Sequence, residues 1–70
     1  MARSQNSIAK EIADLQRANI RLRSDNLSII DHIPDLMLSQ EKDAKAHYQA
    51  NNAAIEANHK RLAELRGMLR

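Results

Sequence analysis

Seventy residues, a formal net charge of +2 and no cysteine bound one small domain and exclude disulfides and thiolate metal sites. So short a chain rarely closes a core without a disulfide, a metal or a partner copy. The mild charge holds no block of Lys and Arg of the kind that marks a nucleic-acid binder. Tyr48 is the sole aromatic residue and Val and Phe are absent. The apolar bulk is therefore Ile, Leu, Met and Ala, which suits helices and disfavours strands. Beginning with Met1, the chain reads as a whole gene product. With no long apolar run and no apolar leader in residues 1–10 it is expected to be soluble and cytoplasmic, with no membrane partner.

Residues 1–7 form a polar N-terminal cap, Arg3-Ser4-Gln5-Asn6-Ser7, in which Ser4, Asn6 or Ser7 can cap a helix. A first helix over 8–32 follows. Its apolar stripe runs Ile8, Ile12, Leu15, Asn19, Leu22, Asn26, Ile29, Ile33, in steps of four and three that mark a heptad. Ala9, Ala13, Ile20 and Leu27 form a second stripe, rotated roughly 130° from the first. Two stripes on one helix imply two neighbours, as in a four-helix bundle. One is assigned to the same chain and the other to a second copy, which makes these four residues the candidate dimer interface. The plainer reading is that Ile20 and Leu27 are scattered exposed residues.

Pro34 ends this helix because its ring clashes with the preceding turn and it lacks an N–H. A turn over 33–38 and a second helix over 39–69 are expected. Pro34 could open that helix with Asp35 beside it, or Ser39 could cap it with Glu41 and Asp43 in the first turn. Its stripe is Met37, Glu41, Ala44, Tyr48, Asn51, Ile55, Asn58, Leu62, Leu65, Leu69, again in four-three alternation. Ala46, Ala50, Ala53 and Ala57 share another side; they suit a close docking face, although alanine is also the best helix former at exposed positions. The expected fold is all-α: an antiparallel helical hairpin with coiled-coil-like heptads, dimerising into a four-helix-bundle-like assembly. The alternative is one long coiled coil kinked at Pro34.

Asn19, Asn26, Asn51 and Asn58 occupy seam positions where apolar residues belong. Paired across a seam, buried amides set register and oligomer state; unpaired, each costs roughly 1–3 kcal/mol. They are read as register-setting residues, against a ligand-facing groove or a rotated seam that leaves them solvated. Asn19 and Asn51 lie nearly equidistant from Pro34, which predicts that a hairpin brings them level. Leu36-Met37-Leu38 cannot all face one seam. At a hairpin tip such a patch marks a partner site or closes the end of the core, and Tyr48 is a further anchor candidate.

His32, His47 and His59 lack the spacing of helical metal ligands, with His32 beside the turn as a candidate pH-responsive group. No nucleophile–base constellation or phosphate-binding loop is visible, so no catalytic, cofactor or metal site is expected. Arg17, Arg21 and Arg23 cluster in the first helix, and Lys60, Arg61, Arg66 and Arg70 in the end of the second. Lys10–Asp14, Arg21–Asp25, Glu41–Lys45 and Glu56–Lys60 are four apart, the spacing of ion pairs on a helix face. Most of this charge is read as a solvated face.

In size, near-neutral charge and paired heptad helices the whole chain resembles small phage-encoded proteins that disarm host regulators. Among them it is similar to the helical quorum-sensing anti-activators, which bind and silence a LuxR-type transcription activator; some such phage proteins target pilus machinery. The likeness is one of outline, and no residue role is carried over from it. It implies an inhibitor that docks on a host protein such as a transcription regulator, in the host cytoplasm. Two other readings stand beside it: an RNA-binding dimeric hairpin like those of plasmid copy control, and a purely structural coiled-coil dimerisation protein.

Overall fold

The computed structural model describes residues 4–69, and within them the chain is two α-helices packed against each other as a hairpin. Helix α1 spans Gln5–His32 and α2 spans Leu38–Met68. The hairpin measures 52 × 14 × 14 Å, about half the length that seventy residues would span as one continuous helix at ~1.5 Å per residue. Arg3 of the polar cap and Arg70 of the C-terminal basic cluster lie outside the described residues.

Of the three residues able to cap α1, Ser4 does so. Its backbone is extended (φ −67°, ψ 150°) and its hydroxyl accepts the Ser7 N–H at 3.1 Å. The helix therefore starts at Gln5, ahead of the first stripe residue Ile8. A serine cap costs little and satisfies one of the orphan N–H groups, so the polar residues before the stripe join the helix.

The reversal differs from both sequence expectations. Pro34 sits second in a single 3-10 turn, Ile33–Asp35, and does not open the second helix. That position needs no donor from it, and the Leu36 N–H closes the turn on the Ile33 carbonyl at 3.1 Å. Ser39 is not the cap of α2. Met37 is, with extended backbone (φ −68°, ψ 157°), and its N–H donates to the Gln40 side-chain oxygen at 3.2 Å. Gln40 can reach back to hold the start of α2 two residues earlier than a Ser39 cap would. At the other end Leu69 is extended (ψ 143°) and α2 stops at Met68.

The seam is built from the two stripes. Every residue of the first, from Ile8 to Ile33, is buried or half-buried, and so is every residue of the second from Glu41 to Leu65. Met37, placed on the second stripe by spacing, instead stands 72% exposed because α2 begins only after it. The tightest apolar packing lies at the open end of the hairpin, where Ile8, Leu62 and Leu65 are buried. In the middle the buried residues are amides: Asn19, Asn26 and Asn51.

Candidate interaction face

The asparagines pair across the seam. Asn51 Nδ2 donates to Asn26 Oδ1 at 2.9 Å and Asn58 Nδ2 donates to Asn19 Oδ1 at 2.9 Å. Asn51 also donates to Asp25 Oδ2 at 3.1 Å, and Asn26 Nδ2 donates to Asn52 Oδ1 at 2.9 Å. No buried side-chain nitrogen or oxygen among the described residues lacks a hydrogen-bond partner. The network escapes the penalty of an unpaired buried amide.

These pairs correct the expected level. Asn19 lies beside Asn58, and Asn51 beside Asn26; Asn19 and Asn51 are not level. Both pairs centre between Leu38 and Ser39, not on Pro34. The 3-10 turn carries the chain onward past His32 before it reverses, so the first turn of α2 overhangs the end of α1. Residues 19 and 26, like 51 and 58, are one heptad apart, which is why both pairs fit one register.

The two sides of this seam differ. On one side, charged groups bridge the helices. Arg61 Nε donates to Glu11 at 2.8 Å, with Glu64 at 3.1 Å on the same guanidinium, and both carboxylates hold Arg61 more firmly protonated. His47 Nε2 lies 3.2 Å from Asp25 Oδ2, the same oxygen that accepts from Asn51. Asp25 is thus engaged across the seam and makes no pair with Arg21. Of the four pairs read from spacing, Lys10–Asp14 (2.9 Å) and Glu41–Lys45 (3.0 Å) form. Arg21–Asp25 and Glu56–Lys60 do not, and Asp14 also takes Arg17 at 2.6 Å. Hydrogen bonds from Lys10 and then Arg17 hold the exposed Asp14 carboxyl below its ordinary pKa.

The other side is apolar. Ile20 and Leu27 are 63% and 64% exposed and Ile30 is 48% exposed. Leu27 and Ile30 border a shallow groove with Tyr48, Asn52 and Ile55 of α2. A second groove beside it runs between Ile20, Arg23, His59, Leu62 and Arg66. The Arg23 guanidinium lies 2.9 Å from His59 Nε2; since arginine only donates, that nitrogen accepts and the ring is neutral in this contact. Of the four residues assigned to a dimer interface, Ile20, Leu27 and Ala9 are exposed and Ala13 is half-buried. Ala46, Ala50, Ala53 and Ala57 are all exposed.

The partner-site candidates divide into two places. Met37 and Leu38 project from the tip, 72% and 86% exposed, whereas Leu36 is half-buried. Tyr48 belongs to the groove with Leu27 and Ile30, ten residues or ~15 Å along α2 from Leu38. His32 Nδ1 hydrogen-bonds the Ser28 carbonyl at 2.7 Å within its own helix. Among the described residues no three His, Asp or Glu side chains gather as metal ligands do, and no helix is long and apolar enough to cross a membrane.

Asn52, Ile30, and the Glu11–Arg61 and Asp25–His47 bridges were not singled out from sequence. Glu11 and Arg61 flank seam positions, the usual place for bridging charges, but assigning them to each other requires the register that the asparagine pairs define. Comparison with family models, with curated proteins and with solved structures finds no match.

Proposed function

We propose that this chain is a non-enzymatic protein–protein interaction module. It self-associates through the apolar side of the hairpin and uses the hairpin tip to bind and silence a host regulatory protein such as a transcription activator. The observation that carries the tip reading is the chemistry at the start of α2. Met37 occupies the N-cap and Leu38 the first helical position, both largely exposed. Asp, Asn and Ser are the preferred caps, each worth about 0.5–2 kcal/mol over an apolar residue. Two large apolar side chains here forgo that stability and meet water, a local inconsistency of the kind found at binding surfaces. Methionine adapts its shape to a partner. The choice of a regulator as partner rests on the outline resemblance to phage-encoded anti-activators.

The same residues supply a test in which function and stability move in opposite directions. Met37→Asp with Leu38→Asp installs a favoured cap and an acid at the positive end of the helix dipole, so helicity is kept and Tm rises. Loss of two apolar contacts worth about 2–4 kcal/mol lowers capture of the regulator at least ~30-fold in nuclease-treated extracts of the native host. Unchanged capture removes the tip from the account. Retention of nucleic acid by the wild-type chain, collapsing with added salt, supports the RNA-binding reading in its place; against that reading, Arg17 and Arg61 are already engaged by carboxylates.

A further inference from the structure

Resting on the self-association reading above, we propose that the occupant of the apolar side is a second copy lying antiparallel to the first, with the two-fold axis between Ile20 and Leu27. The cross-seam contacts Glu11–Arg61 and Asp25–His47 occupy one side of the seam, and the exposed stripe of α1 rises on the other. The whole long side of the hairpin, 52 × 14 Å, is of the scale of the ~800 Å² per partner that stable interfaces bury.

Charge selects the direction. The asparagine register places Arg66 beside the first turns of α1, His59 and Arg23 nearer the middle, and Glu41 beyond the last turn of α1. One end of the apolar side thus carries Arg66, and towards the other end come Asp31 and a groove of Leu38, Glu41, Lys42 and Lys45, in which Glu41 is paired with Lys45. A parallel copy would set Arg66 on Arg66, and like charges facing each other oppose association. An antiparallel copy centred between Ile20 and Leu27 sets Ile20 of each chain on Leu27 of the other. It also brings Arg66 of each to the level of the other's Glu41. Arg23 is close to the axis, but its guanidinium reaches along the groove to its own His59. The two guanidinium groups thus lead away from each other.

The absence of cysteine makes this directly measurable. Gln16 and Asp31, both exposed, lie at equal distances on either side of the proposed axis. Gln16→Cys and Asp31→Cys proteins are treated with a short bis-maleimide, separately and mixed, with helicity and sedimentation mass recorded for each. The antiparallel copy predicts cross-linked dimer in the mixture alone, because like positions would be fifteen residues, or ~22 Å, apart along the axis. Cross-linking of each variant with itself overturns the antiparallel arrangement. Dimer mass with no cross-link in any sample places the interface elsewhere and also overturns it. Monomer mass throughout overturns self-association itself.

Discussion

Replacing Ile20 and Leu27 together by glutamate is expected to turn a helical dimer into a poorly folded monomer. Both side chains are about two-thirds exposed in the single hairpin, so the change removes little that one chain covers by itself. The loss falls on what a second copy would cover. Full burial of an Ile or Leu is worth ~1.5–3 kcal/mol, and a symmetric dimer contains four of these side chains. The exposed part of that burial comes to on the order of 4–8 kcal/mol, enough to raise the dissociation constant at least a thousandfold. Four introduced carboxylates add repulsion. Sedimentation and far-ultraviolet circular dichroism should fall together, because a hairpin with so many buried amides has a small apolar core to stand on. A variant that keeps both dimer mass and full helicity would show the exposed stripe to be ordinary surface.

The second large effect concerns the amide ladder. Asn26 accepts from Asn51 and donates to Asn52. Asn26→Leu removes both bonds and leaves the buried Asn51 amide with Asp25 as its remaining partner, and is expected to destabilise the fold by about 1–3 kcal/mol, the net worth of two hydrogen bonds. Asn26→Leu combined with Asn51→Leu removes both partners and lines the seam with apolar residues. The double variant is expected to unfold at least as high as the wild type, yet to lose its single register. A continuous apolar heptad admits slips and other oligomer states that a buried amide pair excludes. Thermal unfolding reads the first effect, and native mass spectrometry with amide NMR linewidths reads the second. A double variant that is more stable and still uniquely dimeric would deny the asparagines a register-setting role; additive losses in a double-mutant cycle would deny that they act as a pair.

The seam itself was legible because spacing carries it. The four-three steps from Ile8 to Ile33 and from Met37 to Leu69 name residues that are buried or half-buried at every position except the two ends of the second stripe, Met37 and Leu69, which are exposed, and the asparagines stood out as polar residues on an apolar line. The break between the helices was legible from Pro34, since proline cannot continue an α-helix in its interior. The level of one helix against the other was not. Taking Pro34 as the apex ignores the 3-10 turn that carries the chain on and the Gln40 bond that starts α2 at Leu38. Both depend on side-chain geometry that residue type leaves open. An error in level propagates: with Asn19 set beside Asn51, neither the Asn19–Asn58 pair nor the Glu11–Arg61 bridge can be read. Arg21–Asp25 failed for a related reason, because a helix-face pair worth a few tenths of a kcal/mol yields when its carboxylate is claimed across the seam by Asn51 and His47.

Leu38 and the Ile20–Leu27 stripe were visible as apolar residues off the seam, whereas spacing placed Met37 on the seam and only the run Leu36-Met37-Leu38 marked it as a tip residue. Sequence could not separate them from Tyr48 and Leu36. Exposure does so, setting Tyr48 in the groove beside Leu27 and Ile30 and leaving Met37 and Leu38 alone at the end of the hairpin. On the proposed reading a second copy takes the flank and a regulator the tip.

Sedimentation equilibrium of the unmodified chain across a dilution series, with helicity followed on the same samples, tests the shared-core idea most directly. The expected mass is twice the 7.9 kDa of one chain, with helicity falling as dilution drives dissociation. A fully helical species that stays at 7.9 kDa throughout would contradict it.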